Sequence, residues 1–373
     1  MTTAGGDSSL LRRLNTTAVL RTLYGGGPFT LSELVRATAV TRATVENALA
    51  ALVRQGWAAE VPPAADGRRP VGRPPRRYRF RAESGCVVGL DIGAHKVLAV
   101  VADLGGEVRA VRQTAVARDV LPEDRLAAAW KLGHRARRAA GFEADQVRAV
   151  GVGATGVVNA AGTVLVSELL PGWAGTELPV ELGKSFGAPV AAGNDTNVAL
   201  LAEHWRGVAA GARDVLFLHA GHEISAGLLI GGRVHQGRHG AAGEIGMLPA
   251  AGWSDTARAM SEGWGEDIGA LFEAARSRDA KAVESLRRFC EGLTHGAAAM
   301  VLAVDPELVV LGGGLSRAGD LLADPLRRGL REACLFPVPV AVSELGVEAV
   351  ALGAVRLALD EVERELFEMA GVT

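Results

Sequence analysis

At residues 221–227 the chain reads GHEISAG, directly after an apolar run, VLFL at 215–218. Gly221, Ala226 and Gly227 are the small residues that let backbone N–H groups come close to a phosphate. Glu223 opposes that chemistry, because a carboxylate 4 Å from one phosphate charge costs about 4 kcal/mol at an effective dielectric of 20. That is roughly a thousandfold in affinity. A second stretch, TRATVEN at 41–47, carries groups suited to a duplex. Arg42 and Asn47 have the donor geometry for base edges, and Thr41 or Thr44 suits phosphate oxygens. In GNDTN at 193–197, Asn194 and Asp195 precede a helical pattern and could cap it. In DIGAHK at 91–96, Asp91 and Gly93 suit a strand–turn–strand.

The elements around TRATVEN read as three short helices. LLRRLNTTAVLRTLY places Leu10, Leu14, Val19 and Leu23 on one stripe, and GGGP at 25–28 ends it. A second helix starts at Thr30, whose spacing to Glu33 is that of a capping box, with Leu31, Leu34 and Val35 as the apolar face. The third, from Thr41, turns Val45, Leu49 and Leu52 inward and stops at Gly56, leaving Arg42, Thr44, Glu46 and Asn47 outward. Three helices with small polar and basic groups opening the third make a helix-turn-helix; a helical bundle that binds protein is the alternative. Trp57–Val61 and Arg77–Arg81 are the expected strands of a wing. The segment between them, including GRRPVGRPPRR, either reaches a minor groove through residues such as Arg73 and Arg76 or serves as a stiff proline linker.

Charge divides the chain in the same place. Residues 1–81 hold 13 Arg and five acidic residues, a net of +8, while the whole 373-residue chain is −2, so the remainder is −10. A basic head on an acidic body is the pattern of a nucleic-acid-binding module joined to something else. No apolar stretch has the length of a spanning helix, and the opening MTTAGGDSSLLRRLN lacks the order of a signal peptide. Cys86, Cys290 and Cys334 are too scattered for a disulfide framework or a zinc site, which points to the cytoplasm.

From Val87 onward strands and helices alternate. Strands are expected at 87–93, in a hairpin turning at Leu104-Gly105-Gly106, and at 147–153, 188–193, 214–221 and 308–314; helices at 121–140, 196–209, 265–303 and 318–333. The expected division is a winged helix-turn-helix at 1–61, wing and Pro/Arg-rich linker at 62–84, and an α/β body at 85–373.

DIGAHK, LLPGW at 169–173, GNDTN, GRHGAAGEIG at 237–246 and LVVLGGGLS at 308–316 occur in this order behind the head. In this the chain resembles the ROK family of repressors and sugar kinases. The resemblance implies a two-lobed, actin-like (ribonuclease H-like) sugar-kinase fold in the body. It also implies that Asp91, Gly93 and Lys96 descend from a phosphate motif, that Asp195 descends from a catalytic base, and that Asn194, Asp195, Glu244 and His239 form the effector site.

Departures from the family pattern set the functional expectation. Met247 stands where the family has a zinc-ligating His, and LPAAGWSDTARAMSEGW at 248–264 has none of the expected cysteines. Leu169 replaces a sugar-facing Asn, Thr155 replaces a Pro, and Glu223 and Ser225 replace glycines. Neither zinc nor ATP is therefore expected, and no catalytic residues are. The leading reading is a transcriptional regulator, a repressor, that binds a double-stranded operator as a homodimer or homotetramer and responds to a sugar, sugar phosphate or other small effector. The alternatives are an ATP-dependent sugar kinase with a fused head, and a regulator that senses another metabolite or a protein.

Overall fold

The computed structural model describes residues 5–62, 75–221, 223–264 and 268–368. Arg73 and most of the Pro/Arg-rich segment lie outside the described residues. The head comprises α1 (Gly5–Tyr24), α2 (Leu31–Thr38) and α3 (Arg42–Arg54) with a small antiparallel sheet. Its strands are β1 (Phe29–Thr30), β2 (Ala58–Val61) and β3 (Arg77–Phe80), in the order β1-β3-β2. The capping box forms as its spacing requires: Glu33 N donates to Thr30 Oγ1 at 3.2 Å, and Thr30 N donates to the Glu33 carboxylate at 2.7 Å. Val45, Ala48, Leu49 and Leu52 bury one face of α3. One expectation fails in α1. Burial begins at Thr17, and Leu14 is exposed, because the helix starts further back and runs past the elements it packs on.

The body's first lobe holds β4 (Cys86–Ile92), β5 (Lys96–Asp103), β6 (Val108–Ala115), α4 (Pro122–Ala139), β7 (Val147–Ala154), a small hairpin of β8 (Val157–Val158) and β9 (Val164–Val166), α5 (Leu178–Phe186), β10 (Val190–Asn194) and α6 (Asp195–Arg206). The second holds β11 (Val215–Ala220), β12 (Ile224–Ile230), β13 (Arg233–Val234), α7 (Trp253–Trp264), α8 (Ile268–Arg276), α9 (Ala280–Val304), β14 (Leu308–Gly312), α10 (Asp320–Ala333) and β15 (Val340–Val342). The final helix, α11 (Ala349–Glu368), returns to pack on the first lobe.

The two five-stranded sheets, β10-β7-β4-β5-β6 and β13-β12-β11-β14-β15, repeat one plan. In each, the first strand is central, the next two extend antiparallel on one side, and the last two lie parallel on the other. Asp91 near the end of β4 and His219 near the end of β11 occupy corresponding places, in LDIG at 90–93 and LHAG at 218–221.

Two further expectations need correction. The helix expected over 265–303 is broken: Arg278 adopts φ +60° and Asp279 caps a new helix by accepting from Ala282 N at 2.9 Å. GHEISAG is not a loop throughout. Gly221 N donates to Glu223 O at 3.0 Å, and from Ile224 the chain is strand, paired with β11. Alternating burial of Ile224, Ala226 and Leu228 on the second lobe's core explains why.

Head and body share one apolar cluster. Val19, Leu23, Leu34, Val45 and Leu52 of the head are continuous with Val87, Leu98, Ala351, Val355 and Leu366 of the body. The α11 backbone sits against glycine: a Cβ on Gly151 would lie 1.8 Å from Ala354 O, and one on Gly353 would lie 1.8 Å from Val198 O in α6. These contacts seat α11 against β7 and α6 with no room for a side chain.

Candidate functional site

Asp91, Asp195 and His219 stand at the carboxyl ends of β4, β10 and β11, where ligands bind in open α/β sheets. Asp91 is almost fully buried, and burial pushes its carboxyl up to about 6, with Lys96 opposing the rise and Asp195 adding to it. The Lys96 ammonium lies 3.3 Å from Asp91 Oδ2 and donates to Val347 O at 3.0 Å. It therefore holds the turn leading into α11 beside Asp91. Gly93 N donates to Lys96 O at 3.0 Å and closes the hairpin.

Asp195 opens α6. Its Oδ1 accepts from Thr196 N at 2.7 Å and its Oδ2 from Thr155 Oγ1 at 3.1 Å. Thr155, a departure from the family pattern, thus orients the carboxylate. Asn194 is the helix cap: its Oδ1 accepts from Asn197 N at 3.1 Å, while its Nδ2 donates to Gly156 O at 3.0 Å. Both ends of its amide serve the fold. Ser225 and Thr196 hydroxyls share a hydrogen bond of 2.6 Å, tying β12 to the start of α6. Glu244 is half-buried, and its carboxyl is raised by burial, then by the charges of Asp195 and Glu168. His239 is exposed on the preceding loop, and no hydrogen bond or ion pair joins it to this group.

His219 was absent from the sequence-based site. Burial pushes its imidazole pKa down, against the pull of Asp195, so the ring is neutral near pH 7. Gly313 leaves space for it, since a Cβ there would lie 2.2 Å from His219 Cδ2. The signal that could have found it is the internal repeat, which puts His219 where the first lobe has Asp91. The cleft thus gathers Asp91, Glu244 and a neutral imidazole within range of the Asp195 charge, with Lys96 paired to Asp91.

The residues do not fit the family's zinc. Met247 is exposed in a 3₁₀ turn (Ile245–Met247), and among the described residues no cluster of three His, Cys, Asp or Glu side chains is placed to hold a metal.

On the head, Thr41, Arg42 and Asn47 are exposed and Thr44 is half-buried, Thr41 at the N-cap and the others in the first two turns of α3. Arg42 Nε lies 3.2 Å from Glu46, and the Thr41 and Thr44 hydroxyls share a 2.9 Å hydrogen bond. Arg76 is exposed, 3.4 Å from Glu60.

A model of the ROK family matches residues 87–260 and 250–361. The chain belongs to the ROK family. Residues 13–69 of this ROK protein match a MarR-family model, in keeping with the winged helix-turn-helix head. Over 95% of its length it is 25% identical to a putative xylose repressor of Caldicellulosiruptor sp. (strain Rt8B.4), covering 98% of that relative. It is also 27% identical to the glucokinase of Streptomyces coelicolor over 74% of this chain and 98% of the relative. Among solved structures, a ROK family glucokinase from Streptomyces griseus in complex with glucose and AMPPNP superposes with a TM-score of 0.64 at 27% identity, over 74% of this chain and all of that one. A ROK family transcriptional regulator, a homolog of the E. coli MLC protein, superposes with a TM-score of 0.75 over 97% of this chain and 99% of its own. At 20% identity that likeness shows the fold alone, and it extends through the head.

Proposed function

We propose that this ROK protein is a DNA-binding transcriptional repressor whose cleft takes a sugar and which does not transfer phosphate. The observation that carries this reading is the course of α11. Its approach is clasped by Lys96 in the cleft, and its far end bonds the helix-turn-helix. A ligand that alters the cleft can thereby bias the head, provided it binds the two arrangements with different affinity. The similarity to a putative xylose repressor along nearly the whole chain supports the same reading.

The cleft's chemistry favours a polyol. Carboxylates accept protons from neighbouring hydroxyls, and the neutral His219 can donate or accept. Its one lysine is already committed to Asp91 and a backbone carbonyl, so little positive charge remains for polyphosphate. Glu223 replaces a glycine of the second phosphate loop, which lies next to β12. Neither ATP nor zinc is part of this function. The DNA-bound form is a dimer or a dimer of dimers, reading half-sites spaced by whole helical turns.

Thermal-shift titration with pentoses, hexoses and their phosphates tests the sugar assignment. A rise in melting temperature with one aldose, removed by Glu244→Ala, is the expected result. Shifts that survive Glu244→Ala, or none with any carbohydrate, contradict it. The glucokinase relatives make a coupled ADP assay the necessary companion, and sugar-dependent ADP formation lost in Asp195→Asn would establish the kinase instead.

A further inference from the structure

A second pocket, of about 240 Å³, opens where the head meets the body, away from the cleft. Trp57 and Arg81 come from the head side; Gln146 and Arg148 come from the approach to β7 and from β7 itself. Between them, the 3₁₀ turn Ala82–Ser84 contributes Ser84, whose hydroxyl oxygen is buried with no hydrogen-bond partner. A buried hydroxyl without a partner is a group that something outside the chain can satisfy.

The charges around the pocket point the same way. Arg148 lies over the Trp57 ring at 5.4 Å and has no acidic partner among the described residues. Arg81 is 3.8 Å from Glu83, but that carboxylate is held two-pronged by Arg79 at 2.6 and 2.7 Å. One carboxylate thus answers two guanidinium groups, and among the described residues Arg148 is left without one. Gln146 Oε1 accepts from Glu143 N at 2.8 Å, leaving its amide N–H groups as the free end. The negative end of α3 nearby is shielded, because Gly56 N and Trp57 N donate to Val53 O and Leu52 O at 3.1 and 2.9 Å. What remains is a donor-rich pocket with two under-compensated guanidinium groups, which matches the fork of an oxyanion.

We propose that this junction pocket is an anion site that takes the carboxylate or phosphate group of a small metabolite. Its ligand bridges Arg81 on the head side to Arg148 on the body, and so holds the head in one position. The site is separate from the sugar cleft and gives the protein a second input.

Isothermal titration of the full chain with inorganic phosphate, and separately with malonate, against chloride at matched ionic strength tests the site. Neither DNA nor sugar enters the measurement, so its outcome is independent of the function proposed above. Saturable binding of either anion is expected, weakened at least tenfold in Arg148→Gln and several-fold in Ser84→Ala, with melting temperatures of the free variants unchanged. Phosphate-only or malonate-only saturation identifies which oxyanion the pocket takes. Heats that do not saturate with either anion, or an affinity equal in wild type and both variants, would overturn the site.

Discussion

Tyr24 in the DNA-binding head donates its phenol hydrogen to the Glu363 carboxylate of the last helix at 3.0 Å. The two residues stand 339 positions apart in sequence. Arg356 pairs with the same carboxylate and with Asp360, and Phe367 packs edge-on to the Tyr24 ring with centroids 5.7 Å apart. Burial first, and then Glu363, raises the Tyr24 pKa, so the phenol keeps its proton across the physiological range. Tyr24→Phe should remove one half-buried hydrogen bond to a charged group, worth roughly 1.5–3 kcal/mol. It should also shrink the sugar-induced change in operator affinity, while sugar affinity itself stays within about twofold. Calorimetry and anisotropy on the same preparation check both.

The proposed recognition surface divides into groups expected to read bases and groups expected to position phosphates. Arg42→Ala should cost about 1–3 kcal/mol of specific binding and relax the preference at one base pair. Arg76→Ala should weaken all duplexes alike and lower the salt slope by about one. An operator affinity unchanged from wild type in both variants would remove the head from DNA recognition.

Asp91 makes stability depend on pH in a defined direction. Its folded pKa, about 6, is above the ordinary aspartate value of about 3.8, so the unfolded chain ionises first as pH rises. Its contribution is fully present below about pH 4 and is lost as pH climbs through about 6, amounting to at most about 3 kcal/mol. Asp91→Asn should therefore gain stability relative to wild type between pH 4 and 7. Lys96→Met should lose more at pH 7 than at pH 5, because it leaves a buried carboxylate without its cation. Denaturant midpoints across this range give the comparison.

The seat of α11 is testable without touching the cleft. Gly353→Ala places a methyl against Val198 O, and neither backbone can yield cheaply. A loss of about 1–3 kcal/mol is expected. Chelation is the matching control for zinc: EDTA should leave the melting temperature unchanged, and a fall restored by zinc would show a site that the described side chains do not form.

Much of the head was legible because its signals are local. The Thr30–Glu33 spacing fixes a helix start on its own, and the stripe Val45, Leu49, Leu52 fixes a buried face. The central strands were legible as apolar runs. What escaped depends on distant partners. GHEISAG at 221–227 reads as a loop for its glycines, serine and glutamate, yet from Ile224 pairing with β11 and packing on the second lobe make it a strand. His219 lies in a run that looks like plain strand, and it acquires its role only when β4, β10 and β11 converge. No periodicity indicates that Lys96 reaches Val347, or that the last helix closes onto the first. Asp195 and Glu244 were named from resemblance, and in the structure the charge of Asp195 acts on both Asp91 and Glu244.

The most direct test is operator affinity with and without sugar. A duplex selected by the protein from random-sequence DNA is titrated by fluorescence anisotropy, alone and with the aldose that raises its melting temperature. A tenfold or greater loss of affinity with the sugar, absent in Glu244→Ala and reduced in Tyr24→Phe, is the expected result. An operator affinity indifferent to every sugar that binds would contradict the account.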